Sequence, residues 1–205
     1  MRSKILFVII VITILITSCS GLTKEKIIEK TQKSINNIKT YQSRVEVEIF
    51  GNNGSQLYQI EQAYKEGAFR LETISPSHLA GKVVIIKDNR AKIYHPSFEQ
   101  SIIIENFTQN REEFMFLGDF ITWNIQGVDE VQEETREGQK YYVFTKEFDE
   151  GGNIYHHKLS VWVDKKIFLP KYIEIFDIKG NIRVKINILD LKVNHSIEDQ
   201  LFTQE

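Results

Sequence analysis

One mainly β domain is what this sequence predicts: about ten or eleven antiparallel strands in a curved sheet or open barrel, with an N-terminal helix and a short internal helix. Three observations predict it. After Tyr41 most of the chain alternates apolar and polar residues with period two. Turn signals built on Gly, Asn and Asp recur at hairpin intervals. Proline is scarce, three in 205 residues, so few strands are interrupted. The length suits one domain of ordinary size, and no repeat, low-complexity tract or linker marks out a second.

The start of the chain stands apart from that domain. Arg2 and Lys4 precede an apolar run from Ile5 to Ile16, broken only by Thr13. A bilayer span needs about 20 apolar residues, so this run is short for one and has the size of a secretory h-region. Ile16-Thr17-Ser18-Cys19 then resembles a bacterial lipobox, a branched apolar residue and two small ones before a cysteine. The reading is a signal peptide at 1–18, cleavage between Ser18 and Cys19, and one domain at 19–205. Cys19 would carry a diacylglyceryl group and an N-acyl chain, with no other cofactor. At about 0.8 kcal/mol per buried methylene, one chain anchors marginally and two anchor stably. An uncleaved anchor helix, or a cysteine that follows a signal-like segment by chance, is the alternative. Cys19 is the one cysteine, so no intrachain disulfide framework is available.

The elements follow in order. From Thr23, a plausible N-cap, to about Lys39 the pattern is helical, with Ile28, Thr31, Ile35 and Ile38 as the apolar stripe. Val45, Val47 and Ile49 open the period-two region, "GNNG" at 51–54 and "KEG" at 65–67 are turns, and Tyr58, Ile60, Gln62 and Tyr64 share a strand face. Phe69, Leu71 and Thr73 continue the meander until Pro76. "KVVIIKDNRAKIYHPSFEQSIIIENF" reads as three short strands. Phe114, Leu117, Phe120 and Ile121 have helical spacing, which predicts an internal helix or lid at 110–125. Strands return in "GQKYYVFTKEF" and "NIYHHKLSVWVD", joined by "DEGGN", then in a hairpin turning at Lys179-Gly180-Asn181. "SIEDQLF" closes with a helical turn.

Chemistry is sparse. Net charge is −2, and removing Arg2 and Lys4 leaves 24 basic against 28 acidic side chains, about −4, which is no footprint for nucleic acid. His156 and His157, read as strand neighbours, would point to opposite faces and not grip one ion. No G-x-S-x-G elbow or Gly-rich phosphate loop is present, and the one thiol is committed to lipid. The pairs Glu112-Glu113 and Glu133-Glu134 read as solvated faces. Aromatics are plentiful, and on a concave face they would either line a lipid cavity or fill a core. The residues predict no catalytic and no metal site.

Residues 158–202, "KLSVWVDKKIFLPKYIEIFDIKGNIRVKINILDLKVNHSIEDQLF", resemble the closing segment of LolA-like proteins. The matching positions are Trp162, Asp164, Pro170, Asp177, Gly180 and Phe202, all structural in character. The resemblance implies a half-barrel, a strongly curved antiparallel sheet with helices over its concave face. With an Ile-rich, Ala-poor composition typical of AT-rich genomes, and the lipobox, the chain is most similar to the germination lipoproteins of spore-forming Gram-positive bacteria. That likeness implies a non-catalytic protein on the extracytoplasmic face of a membrane, partner to a cell-wall amidase that modifies spore-cortex peptidoglycan. Lipoprotein or lipid carriers and envelope-stress sensors of the same family are the alternatives. The partner surface has no residues assigned, and open sheet edges leave room for a homodimer.

Overall fold

The computed structural model describes residues 22–107, 125–148 and 154–203. Its helix, α1 (Lys24–Asn36), begins where Thr23 caps it: the Thr23 hydroxyl accepts from the Lys26 N–H at 3.4 Å. Ile27, Thr31 and Ile35 form its buried stripe, at a spacing of four. The stripe therefore starts at Ile27, and Ile28, expected to lead it, is half-buried. Thr31 is tolerated in the core because its hydroxyl donates back to the Ile27 carbonyl at 2.9 Å. The helix ends before Lys39, since the Ile38 N–H tightens onto the Ile35 carbonyl and turns the chain into the first strand.

Eleven strands follow: β1 (Thr40–Gly51), β2 (Gly54–Lys65), β3 (Ala68–Ser75), β4 (Val83–Lys87), β5 (Arg90–His95), β6 (Gln100–Ile104), β7 (Glu130–Arg136), β8 (Gln139–Glu147), β9 (Lys158–Asp164), β10 (Pro170–Phe176) and β11 (Ile182–Val193). They make one open, curved antiparallel sheet in the order β6-β5-β4-β3-β2-β1-β11-β10-β9-β8-β7. Two meanders, β1–β6 and β7–β11, run outward from a central seam where the first strand pairs with the last. The seam runs from Tyr41 opposite Val193 to Ile49 opposite Val184, with a bulge between Arg44 and Val45. The predicted mainly β half-barrel is what the chain forms.

The turns follow the sequence signals. "GNNG" joins β1 to β2, Glu66-Gly67 joins β2 to β3, and Gly180 takes φ +80 in the β10–β11 turn, where a side chain would strain the backbone. Asp177 organises that last turn. Its carboxylate accepts from the Lys179 and Asn181 N–H groups at 2.9 and 2.8 Å and pairs with Arg183 at 2.9 Å. Asp164 does the same for the β9–β10 turn, accepting from Lys166 and Ile167. Residues 199–202 form the expected closing turn of helix, of 3-10 type.

β7 is not among the strands that the sequence predicts. His156 and His157 lie in the loop before β9 and not on a strand, because pairing with β10 begins only at Lys158. The signal segment 1–18, Cys19, most of the helix expected at 110–125, and the "DEGGN" turn lie outside the described residues.

One face of the sheet carries the main core. α1 packs its stripe against Val45 and Val47 of β1, Phe144 of β8, Leu159, Val161 and Val163 of β9, Ile173 and Ile175 of β10, and Val184, Ile186 and Ile188 of β11. Burying a side chain of this size contributes about 1.5–3 kcal/mol, which is what holds a 13-residue helix otherwise marginal on its own.

Candidate functional site

The expected cleavage residue Ser18 and the expected lipidation residue Cys19 lie outside the described residues; the structure does fix where the chain enters the domain. Leu22 packs on the core, and Lys24 donates to the Asp129 carbonyl at 3.0 Å, next to the first residue of β7. Asp129 is itself held. Its carboxylate accepts from the Glu147 N–H at 2.7 Å and faces Lys146, and the Glu147 bond first, then Lys146, keeps its carboxyl below the usual range. The entry point is thus tied to the edge of the sheet where β7 starts and β8 ends.

That edge has a distinct surface. Ile154 and Tyr155, before β9, and Ile178, in the β10–β11 turn, are each about half exposed. The Ile178 N–H donates to the Ile154 carbonyl at 2.9 Å, so the two turns are joined.

On the face away from α1, strand alternation places a second cluster that the sequence reading missed. Arg136 lies over the Tyr172 ring at 4.1 Å and the Trp162 ring at 5.3 Å, and pairs with Glu174 at 3.0 Å. The Trp162 indole N–H donates to the same carboxylate at 3.2 Å. Tyr141 stands edge-on to both rings, and burial, then its bond to Tyr172, pushes its phenol up to about 12. Trp162, the motif residue, is thus the centre of a packed cation–aromatic group whose ionic members satisfy one another. Its geometry is that of a packed structural cluster.

The remaining motif residues are likewise committed. Asp164 and Asp177 hold turns, Pro170 opens β10, and Phe202 ends the 3-10 turn that Lys65 fixes through Asp199 at 2.6 Å. Glu133 and Glu134 lie on β7, exposed as expected. Lys140, then Lys165, hold the Glu133 carboxyl down at about 2.

Grooves formed by the described residues are open, and most of the residues that line them are polar or charged. One of about 420 Å³ crosses β11, β1, β2 and β3 and is lined by Arg44, Glu61, Arg70, Glu72, Asp190 and Lys192, with cations and anions in equal number. Another follows the solvent face of α1 past Glu25, Ile28 and Gln32. Among the described residues no three His, Cys, Asp or Glu side chains stand where they could hold a metal ion, and no helix is long and apolar enough to cross a membrane. Such surfaces suit contact with a macromolecule better than enclosure of a small substrate.

Comparison with known proteins gives this geometry a context. A family model described as sporulation protein YdcC-like matches residues 1–202. A search of curated proteins finds no match. Among solved structures, an uncharacterised conserved protein from Thermus thermophilus is 16% identical over 86% of this chain and 91% of its own, with a TM-score of 0.59. A chain in the structure of the CwlD amidase from Clostridioides difficile in complex with the GerS lipoprotein is 26% identical over 87% of this chain and 100% of its own, with a TM-score of 0.51. A LolA superfamily protein from Nitrosomonas europaea is 18% identical over 90% and 99%, with a TM-score of 0.47.

Proposed function

The chain belongs to the YdcC-like family of sporulation proteins, and from that premise we propose that it is a non-catalytic, membrane-anchored lipoprotein that binds and supports a cell-wall amidase acting on spore-cortex peptidoglycan. The observation that carries the proposal is the 26% identity, over the whole length of the matching chain, to the GerS side of an amidase–lipoprotein complex. The chain's own chemistry supports the reading. Its motif positions serve turns and packing, its ion pairs are internally matched, and its open grooves offer surface without a reactive group. Cys19, acylated after removal of residues 1–18, would hold the domain on the extracytoplasmic face of the membrane where the amidase works. The protein is thereby a scaffold for the enzyme and not the enzyme.

The test is co-expression of the chain with a CwlD-type amidase from the same cells, followed by sizing of the complex and assay of the amidase on cortex peptidoglycan. A stable complex and an amidase that loses activity without this chain are expected. A deletion strain with fully modified cortex and normal germination would refute the role. Co-purification of a phospholipid or an acylated protein, with no amidase, would move the assignment to a carrier.

A further inference from the structure

We propose that the sheet edge bearing Ile154, Tyr155 and Ile178 is a membrane-docking rim that lies on an anionic phospholipid surface when the N-terminus is acylated. The inference rests on the reading of Cys19 as the lipid attachment point and adds an orientation to it.

Three side chains carry the rim, exposed to 55%, 48% and 50%. They sit on two turns clamped together: the Ile178 N–H donates to the Ile154 carbonyl, and the His157 N–H donates to the Phe176 carbonyl at 2.8 Å. Large apolar side chains held together on one exposed edge are the kind of surface that a contact covers. Cations flank it. Lys179 is exposed beside Ile178 and Lys158 stands 4.6 Å from the Phe176 ring, while Arg183, 5.2 Å from the Tyr155 ring, is already paired with Asp177. Aliphatic tips, a tyrosine and basic side chains together match the apolar boundary and negative headgroups of a bilayer surface.

The position of the chain start selects the lipid as the occupant. Lys24 bonds to the Asp129 carbonyl, the Asp129 carboxylate to the Glu147 N–H, and the Phe148 N–H to the His157 carbonyl, so one run of bonds along the edge leads from α1 to the rim. From Cys19 to Lys24 the chain extends at most about 17 Å. The seven residues of β9 span about 23 Å, and the turn at 165–169 lies at the other end of that strand. Acylation therefore brings the Ile154–Ile178 edge to the surface ahead of the opposite one.

Full-length acylated protein in mixed phosphatidylcholine–phosphatidylglycerol vesicles tests this. Cys19 is the chain's one cysteine and is a thioether once acylated, so Ile178→Cys supplies a single thiol for an environment-sensitive NBD label. Ile167→Cys, 58% exposed at the opposite edge, is the matched control. A roughly two- to threefold rise in emission, quenched by doxyl-labelled lipid, is expected at 178 and not at 167. Equal signals at both positions, or none at 178, overturn the proposal. So does a rise at 178 that requires an added amidase instead of lipid. Flotation with the vesicles and the acylated mass, both lost in Cys19→Ser, report the anchor separately. A protein that floats without a signal at 178 is anchored with no docked rim; one that does not float removes the anchor and the rim together.

Discussion

The two flanks of the sheet are built from similar strands and have different fates. β4 reads Val-Val-Ile-Ile-Lys and β6 carries three consecutive isoleucines, yet among the described residues no side chain of β3 to β6 joins the main core cluster. β8 to β11 and β1, no richer in branched aliphatics, bury Phe144, Val163 and Val47 completely. All five residues of β6 are exposed. The difference is α1, which covers one flank with Ile27, Thr31 and Ile35. Val83, Ile85 and Ile86 of β4 are buried too, but outside that cluster, so a strand's composition states what it can bury and the element lying over it decides which core it joins.

That contrast can be broken most forcefully inside the covered flank. Phe144→Ala should cost about 3–5 kcal/mol in chemical denaturation, since a fully buried ring leaves a cavity that strands on both sides cannot fill. Ile35→Ala should cost about 2–5 kcal/mol, whereas the same change at Ile102, 64% exposed, should stay within about 0.5 kcal/mol. Comparable losses at the two sites would dissolve the distinction between flanks.

Asp177→Ala tests whether the covered flank also depends on a turn. Burial alone would raise the Asp177 carboxyl, but the Asn181 amides, Arg183 and the Lys179 N–H together hold it below the ordinary range. Removing it strands those donors, and a clear drop in thermal midpoint is expected, smaller than that of Phe144→Ala. A smaller effect still comes from acid. Glu133 is depressed to about 2, so its contribution is complete above its ordinary value of 4.5 and disappears as pH falls towards 2. Stability of Glu133→Gln measured over that window should fall less steeply than wild type. Least of all, Ile103→Lys on the open edge should leave stability unchanged while reducing concentration-dependent association in sedimentation.

Much of this was legible in one sequence. Val45, Val47 and Ile49 gave a strand, "GNNG" and "KEG" gave its turns, and Thr23 gave a cap, because each is a local preference that tertiary packing then reinforced. β7 was not legible. Its residues Glu130 to Arg136 have no apolar face beyond Val131, and it exists because β8 offers an unpaired backbone edge. Nor was the Arg136–Glu174 pair, joined across 38 residues, or the exposed rim, which looks in sequence like any loop isoleucine. The matched motif residues announced themselves for a reason now visible: Asp164 and Asp177 serve their own neighbours within a few positions.

The central seam has a consequence in time. The sheet is completed by joining its first strand to its last, Tyr41 to Val193. A chain that emerges N-terminus first therefore displays β1 with one side unmatched until nearly all 205 residues are out. Each meander can zip up in order of appearance, but the core beneath α1 must wait for β11. Such late closure makes for slow folding. Any truncation that removes β11 should leave a folded half with no centre, released but never sealed.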